Sequence, residues 1–572
     1  MSGSATGPRS APAPGQAPLV APNAAALLRR NATDPDIRDR AAIRFEDEVW
    51  THAEYYAESC RWAQLFLAEL PVDGPRHVAV LLDNLPEYLF ALGAAALVGG
   101  AVVGLNHTRR GEQLARDIAQ THCGLLITEP RHLELLDGIA NGLPPRLIVG
   151  DTLEPVLAEH TNADPGIEPD LDAAWALIFT SGTSDAPKAV ICSQRRLLVT
   201  GKRMSMIMDL TADDIGYVCM PLFHSSAVQV GWAPSIVVGA SIGLRRKFSA
   251  SAWLPDIRHY GSTYFNYTGK PLAYLLAQPE GPDDAANSLR IAFGNEGSPQ
   301  VVAEFSRRFG VEVIDAYGAT EGGVAVNRDA EQRAGALGVA GPGVVVVDED
   351  GTPKPPAEFD AAGHLVNASE CVGEIVNTAG VGPFEGYYNN PDATEKTTRF
   401  GWYWSGDLGY LDADGYLYFA GRNADWIRVD GENFPAGPTE EILRLHPDVV
   451  VAAVYGVPDD QAGDQVMAGV VLRDDVTFDP VEFATWIDGR VDIGPKARPR
   501  YVRVMTEPPT TGTFKIVKRT LVHEKWRSDR IGGDAIFVRG RNEPAYRAFT
   551  AADEQALHES FVHYERARFW DL

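Results

Sequence analysis

Between Phe179 and Val190 the chain reads Phe-Thr-Ser-Gly-Thr-Ser-Asp-Ala-Pro-Lys-Ala-Val, small and hydroxyl-bearing residues closed by a lysine. Each residue type suits the wrapping of phosphate oxygens. Gly182 has no Cβ to hold an anion away from the backbone. Thr180, Ser181, Thr183 and Ser184 bring hydroxyl donors, and Lys188 brings a mobile positive charge. The apolar run from Ala173 to Phe179 has the length and composition of a buried strand feeding a loop. A polar surface turn has the same composition, so this run decides nothing alone. Its spacing lacks Gly-x-x-x-x-Gly-Lys-[Ser/Thr], and kinase-type or GTPase-type phosphoryl transfer is not implied.

Five further segments carry residues suited to chemistry. Pro221-Leu-Phe-His224 ends on a histidine, and Gly294-Asn-Glu-Gly297 is a short polar turn. In Asp315-Ala-Tyr-Gly-Ala-Thr-Glu-Gly322 an aromatic can stack on a purine, a hydroxyl can bond a phosphate, and a carboxylate can hold Mg²⁺. Trp402-Tyr-Trp-Ser-Gly-Asp-Leu408 supplies Asp407, whose two oxygens can accept from two vicinal hydroxyls, and Gly421-Arg422 follows. Thr511-Gly-Thr-Phe-Lys515 places a lysine in a small-residue turn, with Lys518 as its competitor. Taken singly, His224 reads as a core histidine, Tyr317 as a buried tyrosine, Glu321 as a surface glutamate and Lys515 as a solvated lysine. The order and number of the segments, from about Ala24 to Leu521, outweigh those separate readings.

In that order they resemble the adenylate-forming superfamily of acyl-CoA synthetases, peptide-synthetase adenylation domains and luciferases. Within it the chain is most similar to the fatty-acid-transport-protein, very-long-chain and actinobacterial acyl-CoA ligase branch. Lys247-Phe-Ser-Ala-Ser-Ala-Trp253, Tyr260-Gly-Ser-Thr263, Tyr274-Leu-Leu-Ala-Gln-Pro279, Gly431-Glu-Asn433 and Thr511 to Lys515 carry that likeness. The resemblance implies a two-step reaction: a carboxylic acid and ATP give acyl-AMP and pyrophosphate, and coenzyme A then displaces AMP. It also implies ATP, Mg²⁺ and coenzyme A as cofactors and a hydrophobic, long or bulky acid, including steroid and polycyclic acids.

By the same likeness, Thr180, Ser181, Gly182, Thr183, Ser184 and Lys188 hold phosphates, and Glu321 with Thr183 holds the metal. Gly294, Asn295 and Glu296 lie against adenine, with Tyr317 and Gly318, while Thr320 meets the α-phosphate. Asp407 and Arg422 hold the ribose, and His224 stands beside the substrate carboxylate. Ala424 and Asp425 form a hinge; Gly431, Glu432 and Asn433 accept coenzyme A. Lys515, the catalytic lysine, bridges the two anions that meet when a carboxylate attacks the α-phosphate. The chain departs from the family at Asp185, where a second glycine is usual. A carboxylate some 6 Å from a phosphate oxygen costs roughly 3 kcal/mol at an effective dielectric near 20, so weakened pyrophosphate handling is expected. Three other readings share these motifs: a ligase that loads a carrier protein, a member that makes only the thioester, and a non-catalytic nucleotide-binding scaffold.

Positioning these segments takes more than one core. At 572 residues the chain is expected to hold two or more domains. The reading is a leader over residues 1–22, an adenylate-forming domain over 23–422 and a mobile domain over 423–572. Strand–helix alternation, as in His77 to Leu82, Arg109 to Thr121 and Gly124 to Thr128, points to an α/β domain of two mixed sheets flanked by helices. Val344 to Val347 and Gly373 to Val376, around the turn Asp348 to Gly351, read as a small β-barrel-like part. A strand at Val449 to Tyr455, helices at Val481 to Arg490 and from Ala551 to about Phe569, and a strand at Ala535 to Arg539 suggest a small α+β unit. Tyr88 to Leu105 is long and apolar, but Gly99-Gly100 divides it, so a buried helix, turn and strand are expected rather than a membrane span. Val228 to Ile242 reads as core, with an acyl-tunnel wall as the alternative.

A net charge of −26 argues against nucleic acid or an anionic membrane surface as partner. Five scattered cysteines without Cys-x-x-Cys spacing fit a reducing cytoplasm. The expected partners are small molecules only, with the chain acting as monomer or homodimer.

Overall fold

The computed structural model describes residues 18–572, apart from 110, 138, 140–141, 181–186, 269–270, 296, 298, 328–332, 334, 361–364, 423–425, 430–431, 461–462, 475, 491–492, 513–514, 541–542 and 572. Residues 1–297, 302–330 and 377–404 form one compact unit, and 298–301, 331–376 and 405–572 form a second.

Two mixed sheets build the first unit. In one, the strands run Arg146–Ile148, Leu125–Thr128, His77–Leu81, Ala101–Gly104, Ala174–Thr180 and Lys188–Ser193 across the sheet. All neighbours are parallel until the last pair, Ala174–Thr180 with Lys188–Ser193, which is antiparallel. The second sheet runs Glu312–Asp315, Ile291–Asn295, Tyr264–Thr268, Ile215–Val218, Ser241–Leu244, Ala41–Phe45 and Glu48–Thr51. Again only the last pair is antiparallel. Parallel strands need crossovers, and helices supply them on the sheet faces.

The apolar stretch at Tyr88 resolves as anticipated into helix Pro86–Val98, Gly99 in the left-handed conformation, and strand Ala101–Gly104. A helix apolar all round belongs inside, and twelve of its thirteen residues are buried. Among the described residues no helix is long and apolar enough to cross a membrane. The segment from Val228 to Ile242 is buried too. It forms a π-helical turn over Ser226–Trp232, the helix Ala233–Val238 and the start of strand Ser241–Leu244. Trp232 stacks on Trp175 of the strand leading to the hydroxyl-rich loop, centroids 5.8 Å apart.

In the second unit, strands Ala336–Ala340, Tyr416–Arg422, Tyr403–Leu411, Gly373–Asn377 and Val344–Val347 lie side by side, the first two pairings antiparallel. A hairpin pairs Trp426–Val429 with Glu432–Pro435. A further sheet orders Val449–Pro458, Asp464–Leu472, Tyr501–Val504, Ala535–Val538 and Arg547–Ala548. Its faces are filled by Leu443, Phe483 and Ile487 and by Leu521, Trp526, Phe561 and Trp570.

The C-terminal helix is shorter than the amphipathic pattern predicts. It spans Ala551–His563, and a short turn Arg568–Asp571 follows. Glu565 takes a left-handed φ of 57°, and the Arg566 N–H turns back to the Phe561 carbonyl, which stops the helix.

Candidate active site

The hydroxyl-rich loop leaves strand Ala174–Thr180 and returns as strand Lys188–Ser193, with Thr180 and Lys188 directly paired. The two residues that close the loop are thereby fixed, although Ser181, Gly182, Thr183, Ser184 and Asp185 lie outside the described residues. Against this mouth stands Glu321, 9% exposed. Thr180 Oγ1 donates to Glu321 Oε1 at 3.3 Å, and Tyr387 Oη donates to the same oxygen at 2.9 Å. The Lys188 ammonium lies over the Tyr387 ring, 5.1 Å from its centroid. Burial pushes the Lys188 pKa down, while Glu321 pulls it the other way. A carboxylate, hydroxyls and an ammonium thus share one corner, the donor set that a divalent cation and a polyphosphate require.

The turn bearing Glu321 is tied at both ends. Asp315 Oδ2 accepts from Tyr267 Oη at 2.6 Å and from the Gly297 N–H at 2.8 Å. Gly322 has φ of 72°, a left-handed conformation that favours glycine. Gly323 packs so closely on Tyr403 that a Cβ there would sit 2.1 Å from the ring. Arg196 donates to the Thr320 carbonyl, and Thr320 Oγ1 shares a 2.8 Å hydrogen bond with Ser225 Oγ. His224 precedes that serine. Its Nδ1 accepts from the Ser226 N–H at 3.3 Å, which places the ring proton of the neutral imidazole on Nε2. Thr320 and His224 are therefore joined through Ser225.

Strand Ile291–Asn295 brings Gly294 and Asn295 beside the same turn, while Glu296 lies outside the described residues. Asn295 Nδ2 reaches the Gly318 carbonyl at 3.5 Å, but among the described residues its buried Oδ1 has no hydrogen-bond partner. An orphaned amide oxygen there suits the amino group of a purine, since an unmet buried acceptor is costly. A Cβ at Gly318 would meet nothing within 4 Å, so space is open beside it. Tyr317 lies in that turn, half-buried.

In the second unit Asp407 and Arg422 are direct cross-strand partners. Asp407 is 7% exposed, and its N–H donates to Ser405 Oγ at 3.1 Å. Ala424, Asp425 and Gly431 lie outside the described residues; Glu432 and Asn433 belong to a hairpin strand rather than to a loop.

Lys515 closes a tight hairpin. The Thr511 N–H bonds the Lys515 carbonyl at 2.8 Å, and the Lys515 N–H bonds Thr511 Oγ1 at 3.2 Å. Its competitor Lys518 is committed elsewhere, its ammonium 2.9 Å from Glu440 Oε1. Burial raises the Glu440 pKa, but Lys518, Arg444 and the Val454 N–H together hold it below its ordinary value.

Sequence reasoning missed Tyr387, Ser225 and Arg196. Ser225 was within reach, being next to His224. Tyr387 sits in Gly386-Tyr-Tyr-Asn-Asn-Pro391, whose residue types announce no chemistry.

The chain is similar to known proteins along most of its length. Residues 28–388 match the model for the AMP-binding enzyme family, and residues 439–515 match the AMP-binding enzyme C-terminal domain. A steroid-22-oyl-CoA synthetase of Rhodococcus jostii is 45% identical over 539 residues, covering 93% of this chain and 96% of that protein. A medium/long-chain-fatty-acid–CoA ligase of Mycobacterium tuberculosis is 45% identical over 493 residues, covering 86% and 94%. Among solved structures, o-succinylbenzoate CoA synthetase from Bacillus subtilis with its acyl-adenylate intermediate superposes with a TM-score of 0.71 at 26% identity, covering 86% of this chain and 97% of that one. An anthranilate CoA ligase in complex with anthranoyl-AMP gives 0.76 at 22% identity, over 87% and 96%, a likeness of fold.

Proposed function

The chain belongs to the AMP-binding enzyme family, and we propose that it is an ATP-dependent acyl-CoA ligase for a hydrophobic carboxylic acid, a long-chain fatty acid or a steroid carrying a carboxylated side chain. The observation that carries this reading is the convergence of Thr180, Lys188 and Thr320-Glu321 on one corner of the first unit. ATP and Mg²⁺ supply the activated α-phosphorus and the charge that neutralises the departing pyrophosphate.

The residues of the chain do the rest. Thr180 and Lys188 hold phosphate oxygens, with residues 181–184 between them, and Thr183 joins Glu321 at the metal. Asn295 accepts from the purine amine; Tyr317 and Gly318 flank the base. Thr320 donates to the α-phosphate, and the Nε2–H of His224 orients the attacking carboxylate. Asp407 accepts the ribose hydroxyls beside Arg422. Lys515 bridges the incoming carboxylate and the α-phosphate in the transition state. Residues 423–572 act as a C-terminal domain hinged at 424–425, which turns to withdraw Lys515 and to present Gly431, Glu432 and Asn433 to coenzyme A. The enzyme works on small molecules in the cytoplasm, as monomer or homodimer.

Incubation of the protein with ATP, Mg²⁺, coenzyme A and a panel of fatty and steroid acids, read by the mass of the thioester, tests the assignment. The expected result is a thioester from at least one hydrophobic acid and acid-dependent pyrophosphate exchange. Neither product with any acid refutes it. Thioester formed only from synthetic acyl-AMP selects instead an enzyme disabled in its first step, the reading that Asp185 favours.

A further inference from the structure

Glu321 does not meet its surroundings evenly. Both hydrogen bonds described at its carboxylate, from Thr180 and from Tyr387, fall on Oε1. Tyr387 in turn is held by backbone as well as by side chain. The segment 385–388 runs along strand Lys188–Ser193: Tyr387 forms an antiparallel bridge with Val190, the Tyr388 N–H bonds the Ala189 carbonyl, and the Ile191 N–H bonds the Gly386 carbonyl. Glu385 accepts from both the Ser193 N–H, at 2.7 Å, and Ser193 Oγ, at 2.5 Å. The Tyr387 N–H donates to Thr394 Oγ1 at 3.0 Å, and its ring packs edge-on against Phe384.

From this we infer that Tyr387 is a positioning residue for nucleotide binding. It locks the Glu321 carboxylate through Oε1 so that Oε2 takes the divalent cation, while its ring seats the Lys188 ammonium at the phosphates. Removing a hydrogen-bond partner that orients a metal ligand typically costs about 10–100-fold in metal affinity. A cation over an aromatic face gains stabilisation that grows as the pair is desolvated. Tyr387 is 8% exposed, and burial with the neighbouring Glu321 raises its phenol pKa, so the hydroxyl stays a donor at any working pH. The inference rests on reading Glu321 as the metal carboxylate.

Two substitutions separate the contacts. Tyr387→Phe deletes only the hydroxyl, whereas Tyr387→Leu deletes the ring as well. Binding of Mn²⁺·ATP and of metal-free ATP (in EDTA) is measured by calorimetry without acid or coenzyme A, with thermal unfolding followed in parallel. Tyr387→Phe is expected to weaken Mn²⁺·ATP about tenfold and to leave metal-free ATP unchanged. Tyr387→Leu is expected to weaken both. Unchanged Mn²⁺·ATP affinity in Tyr387→Phe overturns the inference, as does an equal loss with and without metal. Glu321→Gln is the control on the premise. If it keeps full Mn²⁺·ATP affinity, the reading of Glu321 fails; if it loses affinity while Tyr387→Phe does not, only the role of Tyr387 fails.

Discussion

Two lysines three residues apart should fail in opposite ways. Lys518 reaches Glu440 at 2.9 Å; the same Glu440 oxygen takes the Val454 N–H at 2.7 Å, and Arg444 stands 3.4 Å from the other oxygen. Glu440 is 9% exposed. At 2.9 Å the gross attraction is about 6 kcal/mol for an effective dielectric of 20, and desolvation offsets much of it. Removing one partner is different, because the other stays behind as a buried charge, at about 3–5 kcal/mol. Arg444 remains in Lys518→Ala, so the low end, about 3 kcal/mol, is expected. That corresponds to a fall in Tm of about 6–12 °C for a unit of this size class. Lys515 is half-buried, and its hairpin is held by the backbone and by Thr511, so Lys515→Ala should change stability by about 0.5 kcal/mol or less. Its cost is in chemistry. Loss of a charge aimed at the transition state slows the first step by about 10²–10³ or more, while thioester formation from supplied acyl-AMP is largely kept. Scanning calorimetry with pyrophosphate exchange and a thioester assay reads all three quantities. A Lys518→Ala variant with normal stability and no exchange, beside a Lys515→Ala variant that adenylates normally, would reverse the assignment of the catalytic lysine.

Two further outcomes follow from charge. Asp185→Gly should raise the pyrophosphate-exchange rate, by up to about a hundredfold if the full ~3 kcal/mol is relieved, and an unchanged rate rules out the charge penalty. Asp83 is drawn below its ordinary 3.8 to about 2, because burial, which raises it, is outweighed by hydrogen bonds from His132 and Arg131. A carboxyl so depressed stabilises the fold above its unfolded pKa, and that stability is lost as pH falls through the folded value. Urea unfolding should therefore show on the order of 2 kcal/mol disappearing between about pH 4 and pH 2. Asp83→Asn should flatten that part of the profile, and an unaltered profile refutes the ion-pair cause.

Much of the framework was legible from residue order. Gly99 ends an apolar helix because glycine takes left-handed backbone without a Cβ penalty, and the Gly99-Gly100 pair marked the helix, turn and strand near Tyr88. The strand into the hydroxyl-rich loop and the strand with the turn around Asp348 were equally local. The C-terminal helix was not. Its apolar spacing continues past His563, yet the chain turns at Glu565, where Arg566 is drawn to the Asp459 and Gly463 carbonyls, 107 and 103 residues away in sequence. A pattern of side chains cannot announce a partner so distant.

The same division runs through the site. The motif from Asp315 to Gly322 named Thr320 and Glu321 through its likeness to a family pattern, since a hydroxyl suited to phosphate and a carboxylate suited to Mg²⁺ stand there in a recognisable order. What the sequence left open was which neighbours complete them. Tyr387 meets Glu321 across 66 residues of chain, and Lys518 is withdrawn from competition with Lys515 by Glu440, 78 positions earlier. Residue types determine what a group is able to do. Burial and long-range contact, which cost nothing in composition and leave no periodic mark, decide which of the able groups are held in place to do it.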